Sequence, residues 1–296
     1  MKDNFPIEII KRNNPSFPEK LARIPSCPPQ IFFKGKINSS KNSVAIVGTR
    51  RATEHGLKAA HKIAKDLTYH NITIISGLAI GIDTAAHKGA MDGGGITWAV
   101  LACGLDNVYP SINSSLAKDI ISNNGCLVSE YPPKTPSYPN QFLARNRIIA
   151  GLSKAVIVIE APKESGALAT AKFAIEQGKD VFVVSGPFGA PTFEGSWGLI
   201  RNGATPVFNI KELLEHLGIT QTSAQKTINI NTLKSNEQLI VNTLKNSSKA
   251  LMVDKIVAIT KLMPQDVNIA LSGLMFNDYI QEINGAYQIS SEIYFV

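Results

Sequence analysis

Residues 43–77 read "SVAIVGTRRATEHGLKAAHKIAKDLTYHNITIISG", and this stretch decides the fold class. It opens on "SVAIVG" and closes on "NITIISG", two short continuous apolar runs rich in Val and Ile. Such runs suit strands covered on both faces, as in a parallel sheet. Between them Leu57, Ala60, Ile63, Ala64 and Leu67 recur at three- and four-residue intervals, the stripe of an amphipathic helix. Thr53 or an adjacent residue is placed to cap it. Further along, "ITWAVLACG", "GCLVSE", "KAVIVIEA" and "KDVFVVSG" repeat the strand signal, several with helical patterns between them. Strand alternating with helix predicts an α/β, doubly wound sheet.

The flanks differ. Residues 1–40 are proline-rich, with one short helical pattern and the strand-like "IFFKG", and are expected to form an extended leader on the sheet edge. After "ELLEHLGIT" the segment 219–235 is polar and aperiodic, which suits a linker. Residues 236–296 then give three short amphipathic helices and two strand-like runs around Asn284-Gly285, a hairpin signal. Three helices and a hairpin predict a small C-terminal winged-helix domain. Its third helix, "PQDVNIALSGLMFNDYI", carries no Lys or Arg, so a partner-binding or structural role fits it better than gripping DNA phosphates.

The 296 residues carry 30 Lys+Arg against 23 Asp+Glu, a net charge of +7 that favours a polyanionic partner without naming one. Hydrophobic residues make up 44% and charged residues 18%, which excludes a largely disordered chain, and no apolar stretch approaches the roughly 20 residues needed to insert into a membrane. Charges and prolines interrupt "MKDNFPIEIIKRNNPSFPEK" before a signal-peptide core forms, so a cytoplasmic location is expected. Cys27, Cys103 and Cys126 form no CxxC pair and are expected as free, buried thiols in a reducing compartment.

Ligands of such sheets gather at the carboxyl ends of the strands. The turns there, "VGTRRAT", "SGLAIGID", "ACGLDNVYP", "SEYPP", "EAPKESGALATA" and "SGPFGAP", are rich in Gly and small hydroxyl residues, which leave backbone N–H groups open to anions. No GxGxxG follows the first strand and no GxxxxGK[ST] occurs, which disfavours NAD or ATP chemistry; no cofactor is expected. Arg50-Arg51 stands where a dinucleotide fold places glycine, and its guanidinium forks are suited to clamping phosphates. If Asn140 onward is helical, Phe142, Arg145 and Asn146 share a face while Arg147 points away. A ring, a cation and an amide suit a single-stranded nucleic acid; the alternative is that Phe142 is core and the arginines are paired at the surface. Asp83 and His87, one helical turn apart in "SGLAIGIDTAAHKGA", make an incomplete metal site, and no metal is expected. Asp83 is read instead as the cap of the helix "TAAHKGAM", with His87 hydrogen-bonded inside the fold. "SGALATA" offers Ser165 and free N–H groups to a phosphate.

"VAIVGTRRAT", "IISGLAIGIDTAAHKGAM", "CGLDNVYP", "LVSEYPP", "RNRIIAGLSKAVIVIEA", "SGALATAKFAIEQGKDVFVVSG" and "GLIRNGA", in that order, closely resemble the signatures of the DNA-processing protein A family, also called DprA or Smf. The resemblance runs from about Pro15 to Phe208, and the tail resembles the winged-helix module often appended in that family. It implies an extended Rossmann-like domain over residues 41–218. It also implies a homodimeric, non-enzymatic recombination mediator that binds and protects single-stranded DNA in natural transformation and loads the RecA recombinase. By the same resemblance the DNA contacts fall on Gly48, Thr49, Arg50, Arg51, Ser76, Gly77, Lys134, Phe142, Arg145, Asn146, Ser165 and Gly166. Arg147, of the same basic cluster, is carried with them. The chain departs from the family pattern at "VVSGPFGAP", where a Pro-Gly is usual, and at "FLARNR", where Phe-Pro is commoner, and the N-terminal helical domain of many relatives is expected to be missing.

Two other readings compete. Nucleotide phosphoribohydrolases share the fold class but carry a PGGxGTxxE signature that "SGALATAKFAIEQ" does not match; Glu160 or Glu164 would have to serve as the acid. A duplex-DNA regulator acting through the winged helix is the other.

Overall fold

A computed structural model describes residues 5–37, 42–187, 189–219, 226–247, 249–277, 279–290 and 293–295. The chain divides into two compact units, residues 1–220 and 221–296.

The first unit runs β1 (Glu8–Lys11), α1 (Glu19–Ala22), β2 (Gln30–Gly35), β3 (Ser43–Val47), α2 (Glu54–Thr68), β4 (Thr73–Ser76), α3 (Ile82–Asp92), β5 (Thr97–Val100), α4 (Ser114–Ser122), β6 (Cys126–Ser129), α5 (Pro139–Leu152), β7 (Ala155–Val158), α6 (Gly166–Glu176), β8 (Asp180–Val184), α7 (Glu194–Arg201), β9 (Thr205–Val207) and α8 (Ile210–His216). The strands form one sheet in the order β1-β2-β6-β5-β4-β3-β7-β8-β9. From β6 across to β9 every neighbouring pair is parallel. This is the expected doubly wound, Rossmann-like α/β sheet.

Alternation along the strands builds a core on each face, because successive side chains point to opposite sides. Val44 and Ile46 pack with Ala60, Ala64 and Leu67 of α2 and with Ala86 and Ala90 of α3. Ala45 and Val47 face the other way, toward Leu21, Ile148, Ile149 and Leu152. Thr53 caps α2, accepting a hydrogen bond from Gly56 N at 3.1 Å.

The first forty residues do more than lie along an edge. β2 sits inside the sheet, antiparallel to both β1 and β6. Ile31 and Phe33 enter the core on one face and Phe32 the core on the other, so "IFFKG" is a strand buried on both sides. Cys103 and Cys126 are buried and Cys27 half-buried, all as free thiols; burial pushes the Cys126 thiol well above its usual range.

The second unit contains β10 (Lys226–Ile228), α9 (Ser235–Lys245), β11 (Leu251–Met252), α10 (Val253–Thr260), α11 (Pro264–Phe276), β12 (Ile280–Ile283), β13 (Ala286–Ile289) and β14 (Ile293–Phe295). β12 and β13 form an antiparallel hairpin and β11 pairs with β13. Asn284 and Gly285 take φ of 52° and 79°, the left-handed pair that a tight hairpin turn demands. Part of the expected linker is structured. β10 pairs with β14, Ile228 is buried, and Ile230 and Leu233 pack against the same core. Residues 220–225 of that linker lie outside the described residues. Apolar residues at 228, 230 and 233 are too sparse to show a period, which is why this part looked aperiodic. Among the described residues no helix is long and apolar enough to cross a membrane.

Candidate nucleic-acid interface

Strands β3, β4, β5 and β6 follow one another to one side of the sheet, whereas β7, β8 and β9 build outward from the other side of β3. Loops leaving the carboxyl ends of β3 and β7 therefore diverge, and a crevice opens between them. It holds a cavity of about 450 Å³, walled by the 48–51 turn, the first turns of α5 and the loop entering α6.

The 48–51 turn is fixed from behind. Thr49 N donates to Glu160 O at 2.7 Å, and the Glu160 carboxylate, fully buried, accepts from Thr53 N at 3.0 Å and Thr53 Oγ1 at 2.9 Å. Arg50 and Arg51 are thereby held out into solvent at the cavity mouth. Glu160→Ala would remove both bonds to Thr53 and is expected to cost about 1–3 kcal/mol, the scale of lost hydrogen bonds to a charged group. Urea unfolding would measure the cost, and hydrogen exchange should show faster opening at the start of α2.

The Arg50 guanidinium carbon lies 5.3 Å from the centroid of the Phe142 ring, within cation–π reach. The Tyr109 ring tilts against Phe142, with centroids 5.4 Å apart. The cation and two rings thus form one cluster beside the cavity. Sequence reasoning missed Tyr109, although it lies in "CGLDNVYP"; the available signal was an aromatic residue in a strand-end turn. Ser165 caps α6, its Oγ accepting from Ala167 N at 3.3 Å, and exposed Gly166 opens the helix. The positive end of that helix faces the cavity. Gly48, Thr49, Phe142, Asn146, Ser165 and Gly166, all expected contacts, line this cavity.

Arg145 is also among the lining residues, but it is only 5% exposed and its role differs from that expected. Its Nη1 donates to Gly77 O at 2.7 Å and to Val100 O, tying α5 to the carboxyl ends of β4 and β5. Burial lowers its pKa to about 10 against the opposing pull of Asp83, which leaves it charged at neutral pH. Asp83 does not cap α3. Its Oδ2 turns back to accept from Gly77 N at 3.0 Å and Ala79 N at 3.3 Å. A Cβ at Gly77 would stand 2.8 Å from both the Arg145 guanidinium and the Asp83 carboxylate, so a larger residue would displace one of them. Asn146 completes the link, accepting from Arg145 Nε at 3.3 Å and donating to Gly166 O at 3.2 Å.

Four expected contacts are not brought to the cavity. Ser76 is fully buried, its hydroxyl donating to Ile46 O at 2.7 Å. Gly77 is buried beneath the 76–79 turn. Arg147 pairs with Glu130, because helical spacing turns it away from the Phe142 face. Lys134 is exposed on the β6–α5 connection, where its backbone N–H donates to Asp106 Oδ1 at 2.7 Å. Among the described residues no group of three His, Cys, Asp or Glu side chains is arranged to hold a metal.

A family model described as DNA recombination-mediator protein A matches residues 8–218. The chain belongs to that family. The Protein Smf of Synechocystis is 41% identical over 216 residues, which cover 71% of this chain and 54% of the relative. The DNA processing protein DprA of Streptococcus pneumoniae is 41% identical over 199 residues, 67% of this chain and 70% of that one. The X-ray structure of the S. pneumoniae protein superposes with a TM-score of 0.67 at 40% identity, over 72% of this chain and 74% of the other. DNA processing protein A of Helicobacter pylori, whose structure is described for its single-stranded DNA binding mode, gives 0.66 at 29% identity, over 73% and 98%. The chain spans about half the length of the first two curated relatives it matches. Within the recombination-mediator family match fall the cavity, the Arg50–Phe142–Tyr109 cluster and the buried residues Asp83 and Arg145.

Proposed function

We propose that the chain binds single-stranded DNA in the cavity at the ends of β3 and β7. It acts as a recombination mediator that protects incoming strands and loads RecA recombinase during natural transformation, as a cytoplasmic homodimer. It is a binding protein, not an enzyme. The observation that carries the binding reading is the Arg50–Phe142–Tyr109 cluster beside the start of α6. Rings stack any base, and a cation with helix-end N–H groups takes the phosphates, so binding is sequence-tolerant. RecA loading, dimerisation and the link to transformation rest on family membership. Of the two acids an enzyme would draw on, Glu160 is buried and committed to Thr53, and Glu164 lines the cavity at its exposed rim.

The second unit is read as a winged helix, from three helices followed by a hairpin. Its α11 carries no Lys or Arg and exposes Ile269 and Phe276, at 63% and 89%. That surface fits contact with a protein better than contact with phosphates.

Fluorescence anisotropy with labelled oligothymidine, run beside a duplex of equal length, tests the reading. The wild-type chain should prefer the single strand, with affinity falling as salt rises. Arg50→Ala should weaken it by ~1–3 kcal/mol, roughly five- to 150-fold. Equal or tighter binding of duplex would favour the regulator reading, and an unchanged Arg50→Ala affinity would remove the cavity from consideration.

A further inference from the structure

A second concavity of about 630 Å³ lies beside the first, between α2 and α3. Leu57, Lys58 and His61 line it from α2, and Thr84, Ala85 and Lys88 from α3, positions that recur at helical spacing on facing sides. Arg50 and Arg51 line both hollows, so the two are continuous around the 48–51 turn.

The groove has the makings of a nucleotide track. Its floor is apolar, from Ala52, Leu57 and Ala85, and its rim is cationic. Lys88 and Arg51 are exposed and have no carboxylate partner among the described residues. Lys58 pairs with Glu54 at 2.7 Å, but both side chains are largely exposed. Such a pair is worth little and exchanges readily for a phosphate. His61 Nε2 lies 2.6 Å from Asp92 Oδ2, which clips α2 to the end of α3. The walls are also rigid: a Cβ at Gly89 would fall 2.1 Å from His61 O, so the two helices meet backbone to backbone.

We propose that the α2–α3 groove is a second subsite for the same strand, taking the nucleotides that leave the first cavity past Arg50 and Arg51. Lys88 and Lys58 hold phosphates while Leu57 and Ala85 seat a sugar or base. This inference rests on the single-strand reading above.

The test uses the full chain with Lys58→Glu/Lys88→Glu and two labelled oligothymidines, one short enough to fill only the first cavity and one several times longer. The double variant should bind the short oligonucleotide as the wild type does. On the long one it should lose roughly ten- to thirtyfold, and the slope of log K against log salt should flatten by about 1.4, the value for two phosphates of a single strand. Lys58→Gln/Lys88→Gln should give a smaller loss of the same kind, which separates lost attraction from added repulsion. Unchanged affinity and slope on the long oligonucleotide would overturn the subsite, as expected were the groove to hold an acidic protein segment instead. Equal weakening at both lengths would overturn it as well, since that is a general charge effect. Failure of the wild type to bind either oligonucleotide would instead sink the single-strand reading and this inference with it.

Discussion

Arg145→Ala is expected to destabilise the first unit by about 3–5 kcal/mol, the scale for removing a buried charge that offsets another buried charge and leaving its hydrogen-bond acceptors unpaired. Burial raises the Asp83 pKa even with the Arg145 charge acting to lower it. Without the cation, the carboxylate keeps its backbone donors Gly77 N and Ala79 N and the neighbouring Ser76 hydroxyl, none of them charged. Gly77 O and Val100 O lose their guanidinium donor at the same time. Arg145→Lys cannot restore the arrangement, because one ammonium lacks the planar fork that serves both carbonyls and the Asn146 amide oxygen. Both tryptophans, Trp98 and Trp197, lie in the first unit, so urea unfolding followed by tryptophan fluorescence reports that unit alone. Asp83→Asn combined with Arg145→Ala should cost less than the sum of the two single changes, because the pair is coupled. A loss below about 1 kcal/mol for Arg145→Ala would show that the guanidinium behaves as a solvated phosphate contact.

Much of this architecture was legible in the sequence. Six apolar runs became the parallel strands β3 to β8 because a strand buried on both faces needs no alternation to be recognised. β9 was not seen because Thr205–Val207 is three residues long and contains Pro206. β2 is legible as a strand-like run but not as an inner strand, because the prolines at 28 and 29 just before it suggest a leader lying along the edge. At the site, spacing correctly grouped Phe142, Arg145 and Asn146 on one face of α5. It did not say how deep that face is sunk. Phe142 is half-buried at the rim while Arg145, one turn on, reaches the ends of β4 and β5. A helix that crosses the carboxyl edge of a sheet points one stripe at both ligand and core, and only the backbone's position divides the two. Tyr109 was hidden for a related reason, since its partner Phe142 is thirty-three residues away in sequence.

The same buried cluster should make the first unit acid-sensitive through His87. The ring is fully buried, with Nδ1 2.7 Å from Thr97 Oγ1. That hydroxyl donates onward to Ile74 O at 2.8 Å, so Nδ1 carries the imidazole proton. Nε2 is buried with no hydrogen-bond partner, and a second proton there would find no acceptor. Burial, helped by the Arg145 charge, lowers the His87 pKa from 6.5 to about 3. Between those values the unfolded chain holds the extra proton and the folded chain does not, so stability falls as pH falls. At about 1.4 kcal/mol per unit, acidification from pH 6.5 to 4.5 should remove about 2–3 kcal/mol. Asp83 works in the opposite direction, because a carboxyl raised by burial binds its proton more readily in the fold than in the unfolded chain. The comparison that isolates His87 is therefore wild type against His87→Asn, whose amide N–H stands in for Nδ1–H. The wild type should lead at pH 7, and its advantage should shrink by that amount at pH 4.5; a constant gap would mean the imidazole is charged in the fold. Because His87 lies under the cavity rather than in its lining, single-strand binding on acidification should disappear together with the tryptophan transition and not before it.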